Sequence, residues 1–384
     1  MKKIIQVLHP ITRLIVGGAQ ENTMYTAAFI NKEQFDIDVL SGPQIGSEGS
    51  LIEELRSYGI PLIITPYLVR QINPYFDLRA YNELKKVMHS KNYNIVHTHS
   101  SKAGILGRCA ARQAKVPIII HTVHGWGFHD YLPITKRFLF ILLERLCANF
   151  TDILIVVSHS DIAKGIKAGI GNFNQYRLIR SAIPLEKFNP DNYSKSRSRI
   201  ELDIPQNAIV IGNVGRFSQQ KNPFDWVKIA GEISRSVPDS FFLLVGDGPF
   251  YKDVENRLEE EGIRIRTLLT GLRRDIPNLM AAMDIFMITS LWEGLPRAIP
   301  QAMAMRKPLL AYRTNGIIEA IEISKAGFLC EPGDHLQMVA NCIRLVNSPE
   351  SRKKFGNNGR KYAINVFDLN HMINKISDLY LELL

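Results

Sequence analysis

Short apolar runs recur along the 384 residues, separated by longer stretches in which apolar and polar positions mix at helical spacing. In the first half the runs at 4–8, 36–40, 61–65, 95–99, 118–123 and 152–158 predict strands; stretches such as 49–58, 77–90 and 102–114 predict the helices between them. The second half repeats the texture, with strands expected at 209–214, 240–245, 266–269, 285–289, 308–311 and 327–330. Runs such as PIIIHTV and ILIVVS are apolar without alternation, which suits parallel strands buried on both faces. Strand and helix alternating in this way predict parallel sheets wrapped by helices. Residues 184–206 are polar and charged and read as a boundary, so the chain is expected to form two α/β domains, 1–188 and 189–366. Residues 367–384 read as a closing amphipathic helix.

A chain of 384 residues exceeds one ordinary core, and 46% hydrophobic residues are enough to fill two. The net charge of +10 is uneven: residues 1–190 carry 22 Lys and Arg against 14 Asp and Glu. That excess suits an anionic partner or surface for the first domain. Cys109, Cys147, Cys330 and Cys342 are scattered, with no C-x-x-C pair, so neither a disulfide frame nor a cysteine zinc site is expected. The opening MKKIIQVLHP reads as a first strand rather than a leader, and no apolar run approaches the roughly 18 residues of a membrane-spanning helix. These features point to a cytoplasmic chain, with contact at the inner face of a membrane as an option. Residues 132–150, with FLFILL bracketed by Lys136, Arg137 and Arg145, are expected to form a core helix of the first domain; a basic, apolar helix at a bilayer interface is the competing reading.

The unusual residues gather at predicted strand ends, where doubly wound sheets bind ligands. Gly17 and Gly18 follow the first strand and open a helix, a place where backbone can approach an anion closely. They do not complete a G-x-G-x-x-G dinucleotide fingerprint. His97 and His99 share one sheet face; with no third ligand visible, hydrogen bonding is preferred to a metal. His124 ends a buried strand beside Gly125. In the second half Gly215, Arg216 and Lys221 place two cations on a loop at a strand end, suited to a diphosphate. Gly246 lies in a second glycine turn, and Gly271, Leu272 and Arg273 offer backbone groups to a flat base. Finally, TSLWEGLPRAIPQAMA at 289–304 puts Glu293 at a strand-to-helix turn, with a helix expected from about Arg297 that tolerates Pro300 in its first turn. No Asp-x-Asp pair stands in a convincing loop, so no cofactor or divalent metal is required.

The order of these motifs from Gly17 to Asp334 resembles the retaining glycosyltransferases of family 4, with the GT-B fold: two Rossmann-like parallel-sheet domains facing a cleft and a C-terminal helix, here 367–384, crossing back to the first. The resemblance implies that the first domain binds the acceptor and the second a nucleotide-sugar donor, with UDP favoured. It implies that Arg216 and Lys221 hold the diphosphate, taking the place of a metal, and that Glu293, Gly294 and Leu295 bind sugar hydroxyls. His124 would approach the sugar ring, Gly17 and Gly18 the phosphates, and Glu319 the donor. The family pattern has a second glutamate eight residues after the first; here that position is Gln301, which loses charge assistance toward the ribose. Arg70, Tyr75, His99 and Lys102 are candidates near a glycan or lipid-linked acceptor. The expected activity is transfer of a hexose or N-acetylhexosamine in surface polysaccharide or lipid-linked glycan synthesis, without nucleic acid. The alternative is a catalytically lapsed, nucleotide-sugar-binding or scaffold subunit, motivated by Gln301.

Overall fold

The computed structural model describes residues 4–44, 46 and 48–384. Lys2 and Lys3, the basic start of the expected first strand, lie outside the described residues. Two compact units form: Met1–Ser181 together with Leu369–Leu384, and Ala182–Asp368. The first holds a sheet of seven strands, β1 (Ile5–Ile11), β2 (Phe35–Ser41), β3 (Leu62–Ile64), β4 (Ile95–His99), β5 (Ile118–Val123), β6 (Ile153–Val156) and β7 (Tyr176–Leu178), in the order β3-β2-β1-β4-β5-β6-β7. The second holds six, β8 (Ile209–Val214), β9 (Ser240–Val245), β10 (Thr267–Leu269), β11 (Ile285–Ile288), β12 (Leu309–Tyr312) and β13 (Gly327–Cys330), in the order β10-β9-β8-β11-β12-β13. Every pairing is parallel.

The apolar runs do what their composition demands. All residues of β4, β5, β6, β11 and β12 are buried, because helices cover both faces of each sheet. In the first unit Leu8, Leu40, Leu84, Val96 and Ile119 share one core; in the second Ile211, Trp226, Phe242, Met287 and Tyr312 share another. Each such side chain stabilises its unit by about 1.5–3 kcal/mol on burial. The three-residue edge strand β7 was not expected, since Arg177 at its centre breaks any apolar run.

The polar stretch 184–206 is folded rather than loose. Its helix Lys195–Glu201 buries Arg199, whose guanidinium meets Asp284 at 2.7 Å and donates to the carbonyls of Ala282, Gln206 and Ala208. Asp284 also accepts the Val210 N–H at 2.8 Å, so this ion pair fastens the helix to the sheet where β8 and β11 begin. Residues 182–188 belong to the second unit; the Ile183 N–H donates to the Phe367 carbonyl at 3.0 Å. The closing helix Leu369–Glu382 belongs to the first, burying Met372, Ile373, Ile376, Leu379 and Tyr380, with Tyr380 edge-on to Phe35.

The helix Ile134–Ala148 corrects an expectation. It buries only Glu144, Cys147 and Ala148, where Arg108 reaches Glu144 at 2.6 Å. The four-residue spacing of Ile134, Phe138, Leu142 and Leu146 instead forms an exposed ridge, with Ile134 81% and Phe138 64% accessible. An apolar run at helical spacing shows that a helix has an apolar face but does not say what covers that face. Among the described residues no helix is long and apolar enough to cross a membrane.

Candidate active site

In each sheet the strand order reverses beside its central pair, between β1 and β4 in the first and between β8 and β11 in the second. Crevices outside the carboxyl ends of such pairs are where ligands bind in open α/β sheets. Gly17, Gly18, His97, His99, Arg216, Lys221 and Glu293 lie on or just after the strands of these two pairs, and predicted residues such as His124 and Gly246 follow neighbouring strands.

In the second unit three strand ends are laced together. The Gly215 N–H donates to the Val245 carbonyl at 2.9 Å, the Phe217 N–H to Asp247 at 2.9 Å, and the Gly246 N–H to Gly271 at 3.0 Å. A Cβ at Gly246 would stand 2.0 Å from the Gly215 carbonyl oxygen, and one at Gly248 would stand 2.4 Å from that of Phe217. Both glycines have positive φ, so only glycine permits this approach. Leu272 is exposed, whereas the Arg273 guanidinium is forked onto Asp275 at 2.6 and 2.7 Å.

Arg216 and Lys221 lie on the loop leaving β8, both partly buried. That loop is tied to the turn after β11: the Leu291 N–H donates to the Gln220 carbonyl at 2.8 Å, and Gln220 Nε2 donates to the Trp292 carbonyl at 2.9 Å. Gln220 Nε2 also reaches Glu293 Oε2 at 3.3 Å, and the Lys221 ammonium sits on Glu293 Oε1. Thus two residues expected to play separate parts touch each other. Glu293 is only 7% exposed, and these two donors satisfy its buried carboxylate oxygens. The side chain of Asn315 donates to the Glu293 carbonyl at 2.6 Å and the Gly316 N–H to the Gly294 carbonyl at 2.9 Å. These bonds dock the helix Asn315–Ser324, which carries Glu319, against the turn. Gln301 is buried on the helix Ala298–Ala304, where Pro300 occupies the third position and needs no intrahelical donor. Gly294 and Leu295 are buried at the turn. Gln220 and Asn315 escaped the sequence reading. Only their adjacency to Lys221 and to the Glu319 helix hinted at them.

In the first unit Gly17 caps the helix Gly18–Phe29 with extended backbone. His124 directly follows β5, and its Nε2 lies 3.2 Å from His99 Nδ1. His99 in turn meets His9 Nδ1 through Nε2 at 2.9 Å, and His97 lies beside both. His9 was missed because nothing in its own segment marks it; the adjacency of β1 and β4 brings it in. A ring nitrogen from each of His9, His97 and His99 lies within 4.8 Å of the others, so the third ligand absent from the sequence reading exists in space. Burial pushes the His9 imidazole down to about 3 and that of His124 to about 4. For His97 and His99 burial, then repulsion from neighbouring imidazoles, drives it well below its usual range. The acceptor candidates are less concerted. Lys102 pairs with Asp77 at 2.5 Å and with the Gln71 carbonyl, the exposed Tyr75 ring lies under Arg79, and Arg70 is exposed.

Two Rossmann-like units with basic and acidic residues at the switch point of the second sheet define a nucleotide-sugar-type transferase architecture, and sequence comparison agrees. The chain belongs to the group 1 glycosyltransferases: residues 194–362 match the family model Glycosyl transferases group 1, and residues 16–187 match Glycosyltransferase Family 4. It is 32% identical over 383 residues, covering 99% of this chain and 97% of the relative, to the UDP-Gal:alpha-D-GlcNAc-diphosphoundecaprenol alpha-1,3-galactosyltransferase of Escherichia coli. It is 24% identical over 361 residues (92% of this chain, 91% of the relative) to the capsular polysaccharide biosynthesis glycosyltransferase CapM of Staphylococcus aureus. Among solved structures, Anabaena HepE in complex with UDP and glucose superposes with a TM-score of 0.83 at 21% identity, covering 98% and 100% of the two chains. Sucrose-phosphate synthase from Thermosynechococcus elongatus gives 0.83 at 19%, covering 99% of each. The fold is GT-B.

Proposed function

We propose that this glycosyltransferase moves a hexose from a UDP-sugar to a hydroxyl of a lipid-diphosphate-linked sugar, retaining the anomeric configuration and using no metal. The observation that carries the reading is the Arg216 and Lys221 loop bonded to the Glu293 turn at the switch point of the second sheet. UDP and a polyprenyl-linked acceptor are the chemistry that the E. coli relative's name states, and the likeness spans nearly the whole chain. Arg216 and Lys221 hold the diphosphate and take up its charge as the C1–O bond breaks. Glu293, with the backbone of Gly294 and Leu295, binds donor-sugar hydroxyls; in the first unit His124 binds a sugar hydroxyl of its own. The acceptor oxygen attacks C1 on the face the diphosphate leaves, and its proton passes to the departing phosphate oxygen.

Nucleotide release with UDP-galactose, UDP-glucose, UDP-N-acetylglucosamine and GDP-mannose tests this. UDP release that requires a lipid-diphosphate acceptor, persists in EDTA and yields an α-linked product from an α-configured donor is expected. A β-linked product would reject retention. UDP binding in a calorimeter without release under any acceptor condition would instead favour a lapsed subunit.

The same reading places the first unit at a membrane surface through the exposed ridge Ile134, Phe138, Leu142 and Leu146, flanked by Lys136, Arg137 and Arg145. Wild-type protein is expected to float with phosphatidylglycerol-containing vesicles at low salt and less completely at high salt, as charge attraction is screened. Phe138→Glu with Leu142→Glu should remain unbound. Failure of the wild type to float at low salt would reject the contact.

A further inference from the structure

His124 is the end of a longer buried line. β1 and β4 run side by side with Val7 opposite Ile95 and Leu8 opposite Val96, which brings His9 alongside His97. His97 Nε2 lies 2.6 Å from Thr122 Oγ1, and His97 Nδ1 lies 2.5 Å from the Tyr380 hydroxyl on the closing helix. That hydroxyl lies 3.1 Å from His9 Nε2; His9 Nδ1 meets His99 Nε2 at 2.9 Å, and His99 Nδ1 meets His124 Nε2 at 3.2 Å. Six groups therefore form one unbroken sequence of contacts: Thr122, His97, Tyr380, His9, His99 and His124.

Proton counting restricts this line. A neutral imidazole has one N–H and one bare nitrogen, and a hydroxyl has one proton, so each contact holds one proton only if all point the same way. Pointed toward His124, the protons sit on Nδ1 of His97, His9 and His99, and His124 keeps its own on Nδ1. Pointed toward Thr122, every ring carries Nε2–H, and the Thr122 hydroxyl must then accept from His97 and find another use for its proton. Thr122 is 3% exposed, and among the described residues His97 is its only side-chain hydrogen-bond partner. The second polarity would bury an unused hydroxyl proton, so the first wins. Burial keeps all four rings neutral near pH 7.

A metal held by His9, His97 and His99 is the competing use of this cluster. Tetrahedral ligand nitrogens at bonds of 2.0–2.1 Å stand roughly 3.3 Å apart. His9 Nδ1 and His99 Nε2 are closer, at 2.9 Å, and both nitrogens of His97 already face hydroxyls.

We propose that Thr122, His97, Tyr380, His9 and His99 are positioning residues that fix His124 as the Nδ1–H tautomer, so that its remaining ring nitrogen presents a donor to a sugar hydroxyl oxygen. This rests on the reading that His124 meets a sugar hydroxyl. The closing helix, through one hydroxyl, thereby takes part in arranging His124.

Long-range proton–nitrogen correlation spectra of histidine-labelled full-length protein test the proposal directly, because they read each tautomer without reference to activity. All four rings are expected as Nδ1–H. Thr122→Val removes the hydroxyl that sets the polarity, and Tyr380→Phe cuts the line in two. Each should shift His124 partly to Nε2–H and lower kcat/KM roughly tenfold, the worth of about one hydrogen bond, while circular dichroism at the assay temperature still shows the native fold. Nε2–H on wild-type His124, or a His124 tautomer unchanged from wild type in both variants, would overturn the chain. Stoichiometric zinc in the purified protein, lost in His9→Gln, would overturn it in favour of a metal centre. If the tautomers respond as expected but His124→Ala transfers sugar at the wild-type rate, the sugar-site reading of His124 fails and the functional half of the proposal falls with it.

Discussion

Lys221→Met is expected to lower kcat about 100- to 1000-fold, the usual cost of removing one preorganised charge from a developing anion, while the fold persists. The lysine is partly exposed and sits on a loop, so its loss empties no core. What it removes is the cation on Glu293 Oε1 and, in the proposed mechanism, one of two positive charges facing the departing diphosphate. Arg216→Met should behave alike. Lys221→Arg is not a safe rescue, since a planar fork replaces a compact point charge beside a carboxylate already held by Gln220. Steady-state turnover alongside circular dichroism distinguishes the cases. Near-normal kcat in both methionine variants would remove this loop from the diphosphate site, and loss of the folded signal would make Lys221 a structural partner of Glu293.

Acid should dismantle the first unit before the second. Nine of the ten histidines belong to the first unit, and burial holds His9, His97, His99, His121 and His124 neutral. For His121 the Arg108 cation adds to burial. Their folded pKa values lie below the ordinary 6.5, so below that pH the unfolded chain binds more protons than the folded one. Stability is therefore lost as pH falls through about 6.5, and the loss continues down to the folded values of about 3 to 4. Each histidine contributes up to about 1.4 kcal/mol per pH unit. With His97, His99 and His121 shifted in the same direction, the five together weigh heavily against a domain stability of about 5–15 kcal/mol. Hydrogen exchange at stepped pH should show peptides of Met1–Ser181 losing protection near pH 4 to 5 while those of Ala182–Asp368 keep theirs. Equal protection in both units down to pH 4 would mean that these histidines are not buried and neutral in solution.

Much of this molecule was legible as pattern. The strands 95–99, 118–123, 209–214, 240–245 and 327–330 were read with their observed bounds because each is an apolar run closed by a polar or glycine residue. The glycine turn at Gly246 was legible as a turn, and the structure adds that it brings backbone within contact distance of Gly215. What stayed hidden depends on contacts between distant segments. His9 gains its partners only when β1 lies beside β4, and Tyr380 joins them from 371 residues away. The contact between Lys221 and Glu293 needs the β8 and β11 ends side by side. The helix Ile134–Ala148 was misjudged for a different reason: periodicity located its apolar face, and only neighbouring elements decide whether that face is covered.

The return of Leu369–Glu382 to the first unit has a consequence for how the chain comes into being. The second unit is one continuous stretch, Ala182–Asp368, whereas the first is assembled from both sides of it. During synthesis, therefore, the domain begun first is finished last. Until the closing helix leaves the ribosome, His9 and His97 lack the hydroxyl that joins them, and the hydrophobic seat of Ile376, Leu379 and Tyr380 stands open. The second sheet can complete in the meantime, so a nascent chain passes through a stage with one mature domain and one awaiting its closing helix.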